Sequence, residues 1–206
     1  MKFPELIYAI LSDDLSSVKR VLAETPETAA KPVSAGATRQ NPTDLFVDEL
    51  KHYIYAGDTP LHVAAMAFRV EIIDLLVRNG AEVSARNRRG AEPLHYACDG
   101  GPDLKNWNQD AQFKTVSKLI ELGANPNSLD KSGVAPLHRA VRNRCTGAVN
   151  ALIRNGADVN LKNKSGSTPF KLAQITTGKS GSGSEEAKKE RELIFELLTE
   201  AGARLA

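Results

Sequence analysis

The sequence is poor in the residues on which disulfide-stapled, metal-binding and membrane-spanning proteins depend. It has two cysteines, Cys98 and Cys145, too few for a disulfide framework and not in a paired metal-ligand spacing, so a reducing, cytoplasmic setting is expected. Tryptophan occurs once and methionine twice. No apolar run approaches the roughly 18 residues that a membrane-spanning helix needs, so no membrane insertion is expected. The opening Met1–Leu11 looks briefly like a charged, apolar leader, but Pro4 and Glu5 interrupt it, and Asp13 and Asp14 follow without a cleavage-site pattern. A formal net charge of +2 is too small to mark a nucleic-acid binder, so any basic surface has to be argued from where the charges lie. The rest of the composition is ordinary: 206 residues, 41% hydrophobic and 25% charged, suit one globular domain or a short solenoid.

What the sequence does have is a phrase that returns. Asp58-Thr-Pro-Leu-His-Val-Ala-Ala65 is echoed by Glu92-Pro-Leu-His-Tyr-Ala97, Ala135-Pro-Leu-His-Arg-Ala140 and Thr168-Pro-Phe-Lys-Leu-Ala173. The prolines Pro60, Pro93, Pro136 and Pro169 are 33, 43 and 33 residues apart, a spacing that a stack of equal structural units requires and a catalytic motif does not.

Each phrase reads as a helix start. Thr59 precedes Pro60, whose missing N–H costs nothing at the first helical position, and Leu61, Ala64 and Ala65 supply an apolar face. A second helix through Val70, Ile72, Ile73, Leu75, Leu76 and Val77 ends at Asn79-Gly80, and Gly123, Gly156 and Gly202 stand at the same point later. Glu92 and Ala135 replace the capping threonine, and Ala135 should cost on the order of 1 kcal/mol against a good cap. The second unit is ten residues longer than its neighbours, and aligning its ends puts the surplus at 101–110, a loop that holds Trp107. Upstream, Leu6, Ile7, Ile10 and Leu11, then Leu15, Val18, Val21 and Leu22, give two helices around a tight turn. The stretch from Thr25 to Tyr55 loses this regularity, and Pro42-Thr43-Asp44 is read as the start of a short helix through Leu45, Phe46 and Leu50. A Gly/Ser tract at 178–184 precedes an amphipathic closing helix from Glu185 to Leu198.

With Gly57-Asp58-Thr59-Pro60-Leu61-His62, Asn79-Gly80-Ala81-Glu82-Val83 and the echoes at 122–127 and 155–160, the sequence resembles the ankyrin-repeat family, well over about 54–202 and weakly over 4–24. The resemblance implies an all-α solenoid of about five stacked helix-turn-helix units with projecting finger turns. One domain over 1–206 is expected: a cap repeat at 4–24, an insertion at 25–53, repeats at 54–86, 87–129 and 130–162, and a closing cap at 163–206. Stability in such a stack is close to a sum of nearest-neighbour interfaces. The resemblance further implies that His62, His95 and His138 are structural, bridging turns through backbone hydrogen bonds, and that Asn127 and Asn160 stand where such repeats can be hydroxylated.

No catalytic constellation emerges, and no metal or cofactor is expected. His52 lies in the insertion without a ligand partner at a recognisable spacing. Ala173 to Ser180 fits a relaxed phosphate-loop pattern, but that loop works between a buried strand and a helix, and here a repeat helix precedes it and a Gly/Ser tract follows. Cys98 and Cys145 have no neighbour that would lower their pKa, so they are read as inert thiols.

The finger turns carry the functional signal. The stretches 84–90, 127–133 and 160–166 contain Arg86, Arg88, Arg89, Lys131, Lys162 and Lys164 with one acid, Asp130. They sum to +5, which leaves −3 for the remainder of the chain. Side by side they would form a positive ridge on a mildly acidic body, extended by Arg142, with Tyr55, Met66, Asp99, Asn143 and Ile175 lining the adjoining groove and Trp107 presented by its loop. The expectation is a monomeric, non-catalytic module that binds an acidic or mixed polar protein surface. The alternatives are that the turns are basic only for solubility, or that the ridge takes an anionic ligand or nucleic acid. Against nucleic acid, these turns hold no aromatic residue on which a base could stack.

Overall fold

The computed structural model describes residues 4–34, 36–37, 46–102, 107–175 and 184–204. Ten helices are described, in five pairs. The first helices of the pairs are α1 (Glu5–Leu11), α3 (Pro60–Met66), α5 (Pro93–Ala97), α7 (Pro136–Arg142) and α9 (Pro169–Gln174). The second helices are α2 (Leu15–Glu24), α4 (Val70–Arg78), α6 (Gln109–Glu121), α8 (Thr146–Arg154) and α10 (Glu185–Glu200). First helices pack on first helices and second on second along the whole series, so the molecule is a two-layer all-α solenoid of stacked helix pairs.

Pattern explains the packing. Leu61, Ala64, Leu94, Ala97, Leu137 and Ala140 are fully or almost fully buried, and small alanines let successive first helices approach closely. On the second layer Ile72, Ile73, Leu76, Val116, Leu119, Val149 and Leu152 are buried in turn, filling the space between neighbouring pairs. The second helix closes at Asn79 as expected: Gly80 has φ +91°, and the Ala81 N–H reaches back to the Leu76 carbonyl at 3.0 Å.

The segment before the first full repeat builds more than a spacer. A 3-10 turn at Pro26–Ala29 buries Ala29, and the chain then runs beside residues 54–58. The Val33 N–H donates to the Asp58 carbonyl at 2.7 Å, Gly57 N–H to Val33 at 2.9 Å, and Ala37 N–H to Ile54 at 2.8 Å. The approach is so close that a Cβ on Gly36 would lie 1.7 Å from the Ala56 nitrogen. Of the short helix expected from Pro42 to Leu50, residues 42–45 lie outside the described residues, and the remainder is not an α-helix. Phe46–Val47 (β1) pairs antiparallel with His52–Tyr53 (β2) around a 3-10 turn at Asp48–Leu50, with Lys51 in the left-handed region at φ +48°. The β-branched and aromatic residues Val47, Phe46 and Tyr53 suit a hairpin, and Val47 is buried in it. Most of the Gly/Ser tract at 178–184 also lies outside the described residues, as do 103–106 in the loop before α6.

Candidate functional site

Three histidines form a ladder through the stack. The backbone N–H of Thr59, Glu92 and Ala135 each donates at 3.1 Å to Nδ1 of the histidine three residues on, His62, His95 and His138. With Nδ1 accepting, the proton sits on Nε2, which donates to a carbonyl of the next repeat: His62 to Ala91 at 3.0 Å, His95 to Val134 at 3.0 Å and His138 to Ser167 at 3.1 Å. Burial holds all three below the ordinary imidazole range, and His95, with the Arg139 cation also nearby, is pushed down to about 4. At Ala135, whose methyl group cannot cap the helix, His138 still satisfies the residue's own backbone N–H. Asn127 and Asn160 tie adjacent units similarly: Asn127 bonds the Gly156 carbonyl and the Asp158 N–H, and Asn160 the Gly202 carbonyl and the Arg204 N–H.

The fingers are built alike. Asn87, Asp130 and Asn163 each accept, through one side-chain oxygen, the N–H groups two and four residues later. The repeat spacing places Tyr55, Arg88, Lys131 and Lys164 at one register position, and the structure lines them up. Lys131 Nζ donates to the Arg88 carbonyl at 2.8 Å, and Lys164 Nζ to the Lys131 carbonyl at 2.7 Å. The fingers abut so closely that a Cβ on Gly133 would lie 2.9 Å from the Lys164 nitrogen. Tyr55 begins the column, with the Arg89 guanidinium 4.5 Å and that of Arg88 5.5 Å from its ring centre. Arg88 also donates to the Ala37 carbonyl at 3.2 Å. Arg88, Arg89, Lys131, Lys162 and Lys164 are exposed, as is Arg142 at the end of α7.

Arg86 departs from the expected ridge. It forms an ion pair at 2.9 Å with Glu92, which is 4% exposed, so its charge is neutralised at the base of the finger.

The adjoining face of the first helices is not an open groove at its N-terminal half. β2 lies over it, and His52 Nε2 is 3.3 Å from Asp99 while its ring sits 5.0 Å from that of Tyr96. Asp99 is held further by Arg139 at 2.9 Å and by the Asn143 side-chain amide at 3.3 Å. Arg139 reaches on to Asp130 at 3.3 Å, which joins the groove to the third finger. Burial raises the Asp99 pKa, but Arg139 and His52 outweigh it and hold the carboxyl down at about 2. Beneath them Asp58 is fully buried and accepts from Tyr96 Oη at 2.8 Å, the Asn87 amide at 2.8 Å and the Tyr55 N–H at 2.7 Å. Asp99 and Asn143 are therefore internally engaged. Met66, expected on the surface, is 3% exposed and lies in a cleft wall with Phe46, Leu50 and Phe68. At the same register position Arg142 and Ile175 are exposed, the latter at 45%.

A cleft of about 520 Å³ remains between the hairpin and the ends of α1, α3 and α5, lined by Tyr8, Phe46, Leu50, Met66, Phe68 and Trp107 among others. Trp107 turns inward, donating from Nε1 to Gln112 at 2.9 Å. Both cysteines are buried, and burial pushes the Cys98 thiol pKa up. Among the described residues no His, Cys, Asp or Glu cluster could hold a metal ion, and no helix is long and apolar enough to cross a membrane.

The residue most consequential and least expected is Arg139. Its signal was available, since it occupies the position of Tyr96 one repeat on, where a charge among buried neighbours demands a partner. No short-range motif pointed to the pairing of His52 with Asp99 or of Asp58 with Tyr96, 47 and 38 residues apart in sequence.

A family model described as ankyrin repeats (3 copies) matches residues 6–105, and one described as ankyrin repeats (many copies) matches 119–173. Ankyrin repeat and SOCS box protein 16 of Mus musculus is 32% identical over 148 residues, 71% of this chain and 30% of its own length. Ankyrin repeat and SOCS box protein 6 of Homo sapiens is 28% identical over 160 residues, 74% of this chain and 35% of its own length. B-cell lymphoma 3 protein homolog of Mus musculus is 31% identical over 143 residues, 56% of this chain and 32% of its own length. The chain thus spans about a third of the length of these relatives.

Proposed function

The chain belongs to the ankyrin-repeat family, whose repeats are protein–protein interaction modules, and from that premise we propose that it is a non-catalytic module that grips a protein partner along the exposed cationic edge of its fingers. The observation that carries the reading is how charge is sorted. Three acids at the finger bases face inward and are paired, Asp58 with Tyr96 and Asn87, Glu92 with Arg86 and Asp130 with Arg139, while Glu82 and Asp158, just before two of the fingers in sequence, are exposed. Arg88, Arg89, Lys131, Lys162 and Lys164 face solvent, and among the described residues none of them forms an ion pair with a carboxylate. A row of outward cations whose finger-base acids are turned inward suits an acidic or mixed polar partner surface.

In this reading the recognition surface runs from Tyr55 along the fingers and over the open C-terminal half of the first-helix face at Arg142. Asp99, Asn143 and Met66 support it from beneath. The molecule acts as a monomer in a reducing, cytoplasmic setting, with β2 of the 25–53 insertion covering the N-terminal half of the groove. Nucleic acid is the second reading of the same ridge. The structure adds one aromatic ring to it, Tyr55, but the arginines flank that ring, which leaves little platform for a base.

The test is capture from extracts of the native host by the native chain and by Arg88→Glu/Arg89→Glu, with the melting temperature of both recorded. Loss of capture with an unchanged melt is expected. Undiminished capture would remove the ridge from the account.

A further inference from the structure

The cations of the ridge are unevenly distributed. At its N-terminal end two guanidinium groups, Arg88 and Arg89, share one tyrosine ring, and Lys131 is drawn to them through its bond to the Arg88 carbonyl. Farther along, Lys162 and Lys164 are single ammonium groups on one turn, the latter tied to the Lys131 carbonyl. Three positively charged side chains therefore gather at one end, around Tyr55 and the Arg88 carbonyl, and Asp58 and Asp130 are bonded inward. Stacking on a ring occupies the face of a guanidinium and leaves its N–H edge, the part that forks onto an oxyanion, off the ring. The Arg88 contacts to Tyr55 and the Ala37 carbonyl also hold that side chain in place before any ligand arrives.

Such a cluster is better matched by a dianion than by one carboxylate. A phosphate monoester offers about 1.5 to 2 negative charges and three acceptor oxygens in the space of a single group. We infer that Tyr55, Arg88, Arg89 and Lys131 form a seat for a phosphorylated side chain within an acidic segment of the partner, with Lys162 and Lys164 meeting flanking carboxylates. This deepens the ridge reading above and rests on it. A phosphodiester chain is the weaker match, because each of its phosphates carries one charge and the Tyr55 ring is already flanked by the arginines.

Fluorescence anisotropy at near-physiological salt tests the assignment with three labelled probes: a Glu/Gly peptide with a central phosphoserine, the same peptide with serine, and a single-stranded RNA of similar length. The native chain is expected to bind the phosphopeptide at least about ten-fold tighter than the serine peptide, the effect of one added charge-assisted hydrogen bond. Arg88→Ala/Arg89→Ala is expected to erase that preference while leaving weak binding of both peptides. Lys162→Ala is expected to weaken both peptides alike and keep the preference. Equal affinity for the two peptides, still abolished by Arg88→Glu/Arg89→Glu, would overturn the phosphate seat and leave the ridge standing. No binding of either peptide would overturn both, and RNA binding tighter than the phosphopeptide would overturn the seat in favour of a polynucleotide.

Discussion

Two faces of one stack treat charge in opposite ways. On the first-helix face the Arg139 side chain, 12% exposed, is held between Asp99 and Asp130, His52 closes over Asp99, and Asp58 is sealed beneath Tyr96. On the finger edge Arg88, Arg89 and Lys131 touch a ring and two carbonyls, and their charge is left to solvent. Both faces use the same repeat register: Tyr96 and Arg139 are 43 residues apart, as are Arg88 and Lys131. The difference teaches that composition alone misassigns these cations, since Arg86, Arg88 and Arg139 are chemically alike but only Arg88 presents its charge without a carboxylate beside it. Groove charges should matter for stability, and ridge charges for recognition.

The largest expected effect is on the groove. Arg139→Ala leaves Asp99 and Asp130 without their cation, and removing one member of a buried ion network costs about 3–5 kcal/mol. Urea unfolding of the purified variant measures this, and a loss below about 1 kcal/mol would mean that water compensates the carboxylates.

Next in size is the histidine ladder. In the unfolded chain these imidazoles titrate near 6.5, whereas burial keeps them neutral in the fold and takes His95 down to about 4. The unfolded state therefore binds more protons between those values, so the ladder's contribution is complete above pH 6.5 and is lost as pH falls toward 4. For His95 the loss is on the order of 3 kcal/mol at its limit. Asp99, held at about 2, adds to the destabilisation only below its ordinary range near 3.8. Denaturant midpoints measured from pH 7.5 to pH 4 should fall steadily across that window, and His95→Gln should flatten the fall. A flat profile for the native chain would break the ladder's assignment as a neutral scaffold.

Much of the scaffold was legible in the sequence because its determinants are local and repeated. Pro60, Pro93, Pro136 and Pro169 mark helix starts, and Gly80, Gly123 and Gly156 mark helix ends, each within one unit. The register even predicts the Tyr55, Arg88, Lys131, Lys164 column, though the bonds from each lysine to its neighbour's carbonyl become visible only when the fingers are placed side by side. The groove was less legible. Its closure depends on a hairpin at 46–53 that meets Asp99 across a long stretch of chain, and two-residue strands carry almost no periodic signal. The burial of Met66 in the wall of the neighbouring cleft is likewise announced by no feature near residue 66.

The smallest expected effect, and the most telling, is the stability of the ridge variant. Urea unfolding of Arg88→Glu/Arg89→Glu beside Arg139→Ala, in one buffer at pH 7.5, compares the two faces directly. The account predicts that the ridge pair loses about 1 kcal/mol or less, the scale of exposed cation–π contacts on Tyr55, while Arg139→Ala loses several times more. A ridge pair that destabilises the chain as much as Arg139→Ala would contradict it, because those arginines would then be holding the stack together instead of facing a partner.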